Sequence, residues 1–167
     1  MNLESRFQIR LAVSSDWEAI TDFNSRLASE TEGKTLVAQT LGAGVRALLA
    51  NPRHGRYLVA CIGLRIIGQM MHTREWSDWR NGEIWWVQSV YVDPEFRRCG
   101  VFRGLFRAME QLAEETSQVI GIRLYVEQDN LPAQKAYERL GLVHPGYTVM
   151  ERFLGKSDSP QPEEQFS

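Results

Sequence analysis

The sequence has 167 residues, of which 43% are hydrophobic and 24% are charged, and its formal net charge is −2. This balance is typical of one soluble globular domain and excludes an intrinsically disordered chain, and a pI of about 6.0 gives no global signal for nucleic acid or an anionic membrane. No apolar run approaches the roughly 20 residues of a transmembrane helix, and residues 1–10 lack the apolar core of a signal peptide. We therefore expect a cytoplasmic protein with neither a nucleic-acid nor a membrane partner, and its two cysteines, Cys61 and Cys99, do not form a disulfide framework.

The first fifty residues predict a strand and two helices. Residues 7–13 alternate between apolar and polar side chains and are predicted as a strand. Ser15 and Glu18 fit a capping box at the start of the first helix, which a loop at residues 30–34 ends. The second helix continues to Asn51-Pro52, a dipeptide that stops helices.

The central part of the chain predicts a meander of strands. Residues 57–62 and 65–73 are predicted strands, and Asn81-Gly82 is a hairpin signal because both residues tolerate positive φ. Residues 83–92 are largely apolar at both alternating sets of positions. A strand that is apolar on both faces is a central strand, covered on each side.

Helices and strands alternate in the rest of the chain. In order, we predict an amphipathic helix at residues 100–116, a strand at 121–126, a helix between Asn130 and Gly141, and a strand at 143–154. The order of elements predicts a single α/β domain at residues 1–154, with a mixed sheet and helices on both faces. Residues 155–167 are polar and are predicted to be a flexible tail.

An arginine-rich loop between a buried strand and a helix is the first chemical signal. Asp93-Pro94 ends the strand, Arg97, Arg98 and Gly100 follow, and the helix carries two further arginines. A helix N-terminus offers N–H groups and the positive end of its dipole to a phosphate, and glycine allows close approach. The loop therefore suits a polyphosphate, although it lacks the Walker and G-x-G-x-x-G patterns. The alternative is an arginine-rich helix face exposed to solvent.

Two motifs resemble the GNAT superfamily of N-acetyltransferases. R-x-x-G at Arg97–Gly100, after the strand VYVDPEF, resembles that family's pyrophosphate loop. Asn130–Leu142 is similar to its second signature, N-x-x-A-x-x-x-Y-x-x-x-G-[FL]. The resemblance covers residues 55–153, and the first two helices by order alone. It implies a mostly antiparallel sheet of the GNAT acyl-CoA N-acyltransferase type and acetyl-CoA as the cosubstrate.

The resemblance also implies individual roles. The backbone of the strand end would hold the pantetheine arm, and the Val90 N–H would polarise the thioester carbonyl. Asn130 would bond to the same arm, and Tyr137 would protonate the departing thiolate. The loop and first helical turn would wrap the pyrophosphate with backbone N–H groups. The implied cofactor-binding set is Val90, Tyr91, Val92, Arg97, Arg98, Cys99, Gly100, Val101, Phe102, Arg103 and Asn130.

Two residues of the motifs, Tyr137 and Phe102, have alternative interpretations. A phenol is protonated at neutral pH and can donate to a sulfur anion, but Tyr137 could equally be a core tyrosine on its helix. Phe102 occupies a position where the family's loop has Gly or Ala, R-x-x-G-x-[GA]. Its side chain would fit the apolar stripe of the helix and leave the N–H accessible.

The base that deprotonates the acceptor amine is not assigned by any pattern. The middle of strand 83–92 offers no acid, and Gln88 and Ser89 either orient water or satisfy neighbours. Glu127, at the end of the next predicted strand, is the best single candidate, and Glu32 is another. Glu83 is predicted to be a surface residue.

The acceptor is expected between the loop of residues 30–34 and the hairpin of residues 72–86. Four tryptophans with interleaved carboxylates in that hairpin would suit a cationic amine. The alternative is that Trp85 and Trp86 are core residues and that Trp76 and Trp79 cover a sheet edge. The three histidines are scattered without metal-ligand spacing, so no metal is expected.

The leading hypothesis is direct transfer of an acetyl group from acetyl-CoA to an amine of a small molecule or a peptide. One alternative retains the site and transfers a longer acyl chain. Another is a catalytically silent sensor of acyl-CoA, and a third, nucleic-acid binding through the arginines, is disfavoured by the acidic pI. Homodimerisation through residues 147–154 stays open.

Overall fold

The computed structural model describes residues 7–152 and residue 154. The strands are β1 (Gln8–Leu11), β2 (Arg56–Ile62), β3 (Arg65–Ser77), β4 (Gly82–Val92) and β5 (Val119–Leu124). The α-helices are α1 (Trp17–Glu32), α2 (Ala38–Ala50), α3 (Val101–Glu114) and α4 (Leu131–Glu138). The chain divides into two compact units, residues 1–125 and residues 126–167, and α4 belongs to the second.

The five strands form one sheet in the order β1-β2-β3-β4-β5. The first four strands pair antiparallel, and β4 pairs parallel with β5. β4 and β5 are parallel because α3 connects them as a crossover helix and returns the chain to the end of the sheet at which β4 begins. A mixed, mostly antiparallel sheet is thus confirmed, with β4 between two neighbours as its two apolar faces predicted.

Helices cover both faces of the sheet, as predicted. On one face, Tyr57, Val59 and Met71 form a buried cluster with Ile20 of α1 and Val45 of α2. On the other face, α3 lies so close to Gly68 of β3 that a Cβ there would stand 2.8 Å from Cγ1 of Val101. Because side chains of a strand alternate between faces, β2 and β3 contribute to both cores.

Local signals were less accurate than the order of elements. The capping box at Ser15 and Glu18 is wrong, because residues 14–16 form a 3-10 turn and α1 begins after Asp16. Asp16 instead accepts hydrogen bonds from Arg10 at 2.7 and 2.9 Å, which tie the turn to β1. In addition, β5 begins two residues before the predicted start of that strand.

The predicted strand at residues 143–154 is also wrong, since the described residues of this segment contain no strand. Its apolar side chains are largely exposed, with Met150 93% and Tyr147 78% accessible, so the alternating pattern buries little in this segment. The predicted tail at residues 155–167 lies outside the described residues. Within the described part of the chain, no helix has the length and apolarity to cross a bilayer.

Candidate active site

The edge strand β5 separates from β4 before β4 ends. The last residue pair between β4 and β5 joins Val87 to Leu124, whereas β4 continues to Val92. Residues 88–92 are therefore bonded to β3 on one side and have passed the end of β5 on the other. This fork leaves one edge of β4 open for hydrogen bonding.

Two backbone N–H groups point to that open edge. The Asp93 N–H donates to the carbonyl oxygen of Ile67 in β3 at 2.9 Å. Since N–H groups of successive residues alternate between the two edges of a strand, Tyr91 also donates toward β3, and Val90 and Val92 face the fork. Of the three residues predicted to hold the pantetheine arm, Val90 and Val92 thus direct their N–H groups to the fork and Tyr91 directs its N–H group to β3.

A β-bulge lies directly before Val90. The β3–β4 register shifts between Gln69 and Met71, because β4 contains one extra residue opposite them. The extra segment includes Ser89, whose φ of +48° lies in the left-handed region. A bulge turns the strand and redirects the backbone groups that follow it, so the bulge sets the orientation of the Val90 N–H.

The loop after β4 ends in a helix N-terminus that has no side-chain cap. Gly100, with φ of +84°, precedes α3, and its carbonyl accepts the first intrahelical bond from the Gly104 N–H at 2.9 Å. Glycine offers no side chain to cap this helix, and the N–H groups of a first helical turn point outward along its axis. Arg98 and Arg103 are exposed on the loop and on this turn.

The side chains of Cys99, Val101 and Phe102, which were also predicted to belong to the pyrophosphate loop, contact other parts of the protein. Val101 is buried, and the half-buried Phe102 ring lies 6.1 Å from the ring of Phe106, one turn along the helix. The Cys99 thiol donates to the Arg97 carbonyl at 3.5 Å. The Phe102 side chain therefore extends along α3, as its place on the apolar stripe predicted.

Arg97 connects three parts of the first unit. Its guanidinium donates to Glu30 of α1 at 2.6 Å, its Nε donates to the Val92 carbonyl at 3.0 Å, and it lies 5.4 Å from the centre of the Tyr91 ring. These bonds direct Arg97 toward α1 and β4. The arginine of the loop best placed for a phosphate is consequently Arg98.

Glu30 is a residue that the sequence analysis missed. One carboxylate oxygen accepts from the Tyr91 hydroxyl at 2.6 Å and the other from Arg97, and these two bonds hold the pKa of Glu30 below its usual value. Burial and the bond to Glu30 raise the pKa of Tyr91. The predicted loop began at Glu30, but α1 continues to Glu32, and this last turn brings the carboxylate to the end of β4.

The predicted tryptophan cluster is divided by the sheet. Trp85 is buried and stacks on His72 with ring centroids 3.9 Å apart. Trp76 and Trp79 are exposed at the hairpin, 53% and 88% accessible. The half-buried Trp86 stacks on Tyr125 at 4.4 Å and donates its indole N–H to Glu75.

The neighbourhood of Trp86 is the polar surface beside the fork. Glu75 also pairs with Arg123 at 3.1 Å, so its charge is already matched. Gln88 donates to the hydroxyl of Thr73 at 2.7 Å. Aromatic and polar groups of β3, β4 and β5 thus surround the point at which β5 ends.

The candidate bases in the first unit are engaged elsewhere. Glu32 is exposed and pairs with Lys34 at 2.6 Å. Glu83 accepts from the Trp85 indole at 3.2 Å and lies seven residues before Val90, about 23 Å along the strand. Among the described residues, no group of three or more metal-ligating side chains is close enough to hold a metal ion.

The second unit carries the other predicted site residues. Asn130 caps α4, where its side-chain oxygen accepts from the Ala133 N–H at 3.2 Å. Tyr137 lies on α4, and burial raises the pKa of its phenol. Glu127 is exposed, and its carbonyl accepts from Gln134 at 2.9 Å.

Comparison with known proteins gives the same fold. A structure described as a possible acetyltransferase from Clostridium difficile 630 is 42% identical, with a TM-score of 0.84, over 89% of this chain and 97% of that one. A ribosomal-protein-alanine N-acetyltransferase from Brucella melitensis biovar Abortus 2308 is 18% identical, with a TM-score of 0.72, over 88% and 99% of the two chains. At that identity the second likeness shows the fold alone.

A curated relative and a family profile complete the comparison. The N-terminal acetyltransferase B complex catalytic subunit NAA20 of Arabidopsis thaliana is 32% identical over 83 residues, which are 48% of this chain and 45% of that protein. This chain thus spans about half the length of that relative. The profile of the Acetyltransferase (GNAT) family matches residues 17–142. The chain belongs to the GNAT family of acetyltransferases.

Proposed function

We propose that this protein transfers an acetyl group from acetyl-CoA to an amine of a small molecule or a peptide. The observation that carries the proposal is the fork, where the N–H groups of Val90 and Val92 face an open edge just before a glycine-capped helix N-terminus. A strand edge suits the amide-rich pantetheine arm, and a helix N-terminus suits its pyrophosphate. One continuous segment thus offers both kinds of contact.

The proposed reaction is direct transfer. The amine nitrogen attacks the thioester carbonyl carbon, and the Val90 N–H stabilises the negative charge that develops on the carbonyl oxygen. As the carbon–sulfur bond breaks, the coenzyme leaves as a thiolate, and the resemblance to the family's second motif is the ground for assigning the proton that it takes to Tyr137. A phenol keeps its proton at neutral pH even at its ordinary pKa of about 10, and burial raises the pKa of Tyr137 further. The proton lost by the amine passes to solvent water, and Tyr137 regains its proton from the solvent before the next turnover.

The acceptor amine is proposed to approach over the polar surface at Trp86, beside the fork. Trp86 and Tyr125 offer stacked aromatic faces, and Gln88 and Thr73 offer hydrogen-bonding groups. Since the Glu75 carboxylate is already paired, the surface suits a neutral amine or a peptide better than a polycation.

Titration calorimetry with acetyl-CoA tests the binding part of the proposal. The wild type should bind, and Arg98→Glu should weaken binding at least tenfold, because it places a carboxylate beside the pyrophosphate loop. Arg80→Glu is the matched control, since Arg80 is exposed at the hairpin turn, at the opposite end of β4. Absence of wild-type binding, or equal weakening in both variants, would overturn the proposal.

A thiol-release assay over a panel of amines tests the transfer. Tyr137→Phe should bind acetyl-CoA like the wild type and release thiol about 10²-fold more slowly, the scale of a lost general acid. Acetyl-CoA binding by the wild type without release of thiol for any amine would favour the sensor. Faster release from longer acyl thioesters would favour the longer-chain transferase.

A further inference from the structure

A buried polar network lies under the bulge of β4. It consists of Asn24 of α1, Tyr57 of β2 and Gln69 of β3, which are 8%, 4% and 0% exposed. The Gln69 amide donates to Asn24 Oδ1 at 2.6 Å and to the Ser89 carbonyl at 3.3 Å. Asn24 in turn donates to the Tyr57 hydroxyl at 2.9 Å. Three elements therefore converge on one residue of β4.

The hydrogen-bonding capacities of these groups fix their orientations. Both partners of Gln69 Nε2 are acceptors, so the amide must present its NH2 group to them. With its oxygen occupied by Gln69, Asn24 must turn its own NH2 group to Tyr57. Burial raises the pKa of Tyr57, and the adjacent Asn24 and Ser89 side chains oppose that rise. The carbonyl of Ser89 is thus bonded to Gln69, and the side chain of Ser89 lies beside Tyr57.

Ser89 needs such support because of its backbone conformation. Its φ is +48°, and a left-handed conformation is strained for any residue other than glycine. Without the extra residue, and with the first half of β4 in its present register, Val90 would take the place of Tyr91 opposite Gln69. Its N–H would then point to β3 and away from the fork.

We propose that Asn24 and Gln69 are positioning residues for acetyl transfer. They hold Ser89 in the left-handed conformation and thereby direct the Val90 N–H into the fork. The inference rests on the proposed function of Val90, and it extends that function to side chains that are buried and do not touch the substrate. The network thus couples α1 and the interior of the sheet to the orientation of one catalytic N–H.

Gln69→Leu separates this role from cosubstrate binding. The variant removes both donated bonds, so the Val90 N–H loses its fixed direction, whereas Val92 and the α3 N-terminus are unchanged. We expect kcat to fall about 10–10²-fold. Complete loss of an oxyanion donor costs about 10²–10³-fold, and here the donor is only misdirected. The KM for acetyl-CoA should stay within about twofold, because the lost interaction acts in the transition state.

A rescue and a control distinguish positioning from general stability. Glycine adopts positive φ without strain, so Ser89→Gly in the Gln69→Leu background should recover most of kcat. Val45→Ala is the control, since Val45 is 3% exposed in α2 and its truncation destabilises the core without removing any bond of the network. Its kcat per folded molecule should match the wild type. No recovery in the double variant, or an equal loss in the control, would overturn the inference.

A readout independent of activity keeps this inference apart from the proposed function. The Cα and Cβ chemical shifts of Ser89 report its backbone conformation by NMR whether or not the protein turns over. They should indicate positive φ in the wild type and an extended conformation in Gln69→Leu. Positive φ in both proteins would refute the positioning role. If the wild type shows positive φ but neither binds nor transfers, the proposed function falls, and with it the catalytic meaning of the network.

Discussion

Glu30 joins the last turn of α1 to the end of β4 with two short hydrogen bonds, from Tyr91 and Arg97. Glu30→Gln removes the charge, and we expect the free energy of unfolding at pH 7 to fall by up to about 1 kcal/mol, as is usual for partly exposed pairs. Because the pKa of Glu30 is lowered on folding, this stability is present above the ordinary glutamate pKa and is lost as pH falls through the lowered value.

Urea titrations at several pH values measure this effect. The difference in free energy of unfolding between wild type and variant should disappear as pH falls below about 4, the ordinary carboxyl pKa. Glu32→Gln is the matched control, because Glu32 also lies in the last turn of α1 and forms an ion pair, with Lys34, that is exposed. A loss in the control as large as in Glu30→Gln would contradict a specific role for the Glu30 bonds.

The buried His72 is expected to make folding stability depend on pH in a second range. Burial, with the charges of Arg74 and Arg56, lowers its pKa from 6.5 to about 4. The unfolded chain therefore binds a proton between these values while the folded protein does not, so stability falls as pH decreases from 6.5 to about 4. The difference corresponds to roughly 3 kcal/mol.

His72→Phe retains an aromatic ring against Trp85 and removes the proton-binding group. Its free energy of unfolding should change by roughly 3 kcal/mol less than that of the wild type between pH 6.5 and 4. Parallel curves for wild type and His72→Phe would show that His72 is protonated in the folded state.

The packing of α3 on β3 depends on the missing side chain of Gly68. A Cβ there would lie 2.8 Å from Val101 Cγ1 and 3.3 Å from the Tyr91 carbonyl, so Gly68→Ala must displace the first turn of α3. We expect a loss of about 1–3 kcal/mol, together with weaker acetyl-CoA binding because the pyrophosphate loop precedes that turn. Gly44→Ala, in an exposed and open part of α2, should instead stabilise by up to about 1 kcal/mol. Thermal unfolding and calorimetry measure both effects, and unchanged binding in Gly68→Ala would disconnect the helix position from the site.

The sequence predicted those elements whose signals are local. β4 is apolar on both faces, and the Asn81-Gly82 turn precedes it, so its central place in the sheet was predictable. The bulge at Ser89 was not predictable, because serine has no preference for positive φ and its support comes from Asn24 and Gln69, 65 and 20 residues earlier in the chain. Glu30 was missed for a similar reason. Its partners are defined by how far α1 extends, and the helix ends at Gly33, inside the loop predicted at residues 30–34, rather than before Glu30.

Over the whole molecule, the charge is −2, yet Arg98 and Arg103 are exposed beside the proposed pyrophosphate site. A polyanionic cosubstrate is therefore repelled by the total charge and attracted by the local one, and the Debye length determines which effect dominates. At about 0.15 M salt the Debye length is about 8 Å, so only charges near the site act on the approaching ligand. The local arginines should then control the rate of association.

Stopped-flow association of acetyl-CoA with wild type, Arg98→Glu and Arg80→Glu tests this separation. At about 0.15 M salt, Arg98→Glu should associate several-fold more slowly than the wild type, and Arg80→Glu should match it. At about 0.01 M, where the Debye length reaches about 30 Å, Arg80→Glu should also slow association, because the total charge is then felt at the site. At about 1 M the three rates should converge, leaving only the differences in dissociation that contacts within the loop produce. Equal slowing by both substitutions at about 0.15 M would mean that total charge, rather than the loop, guides the ligand.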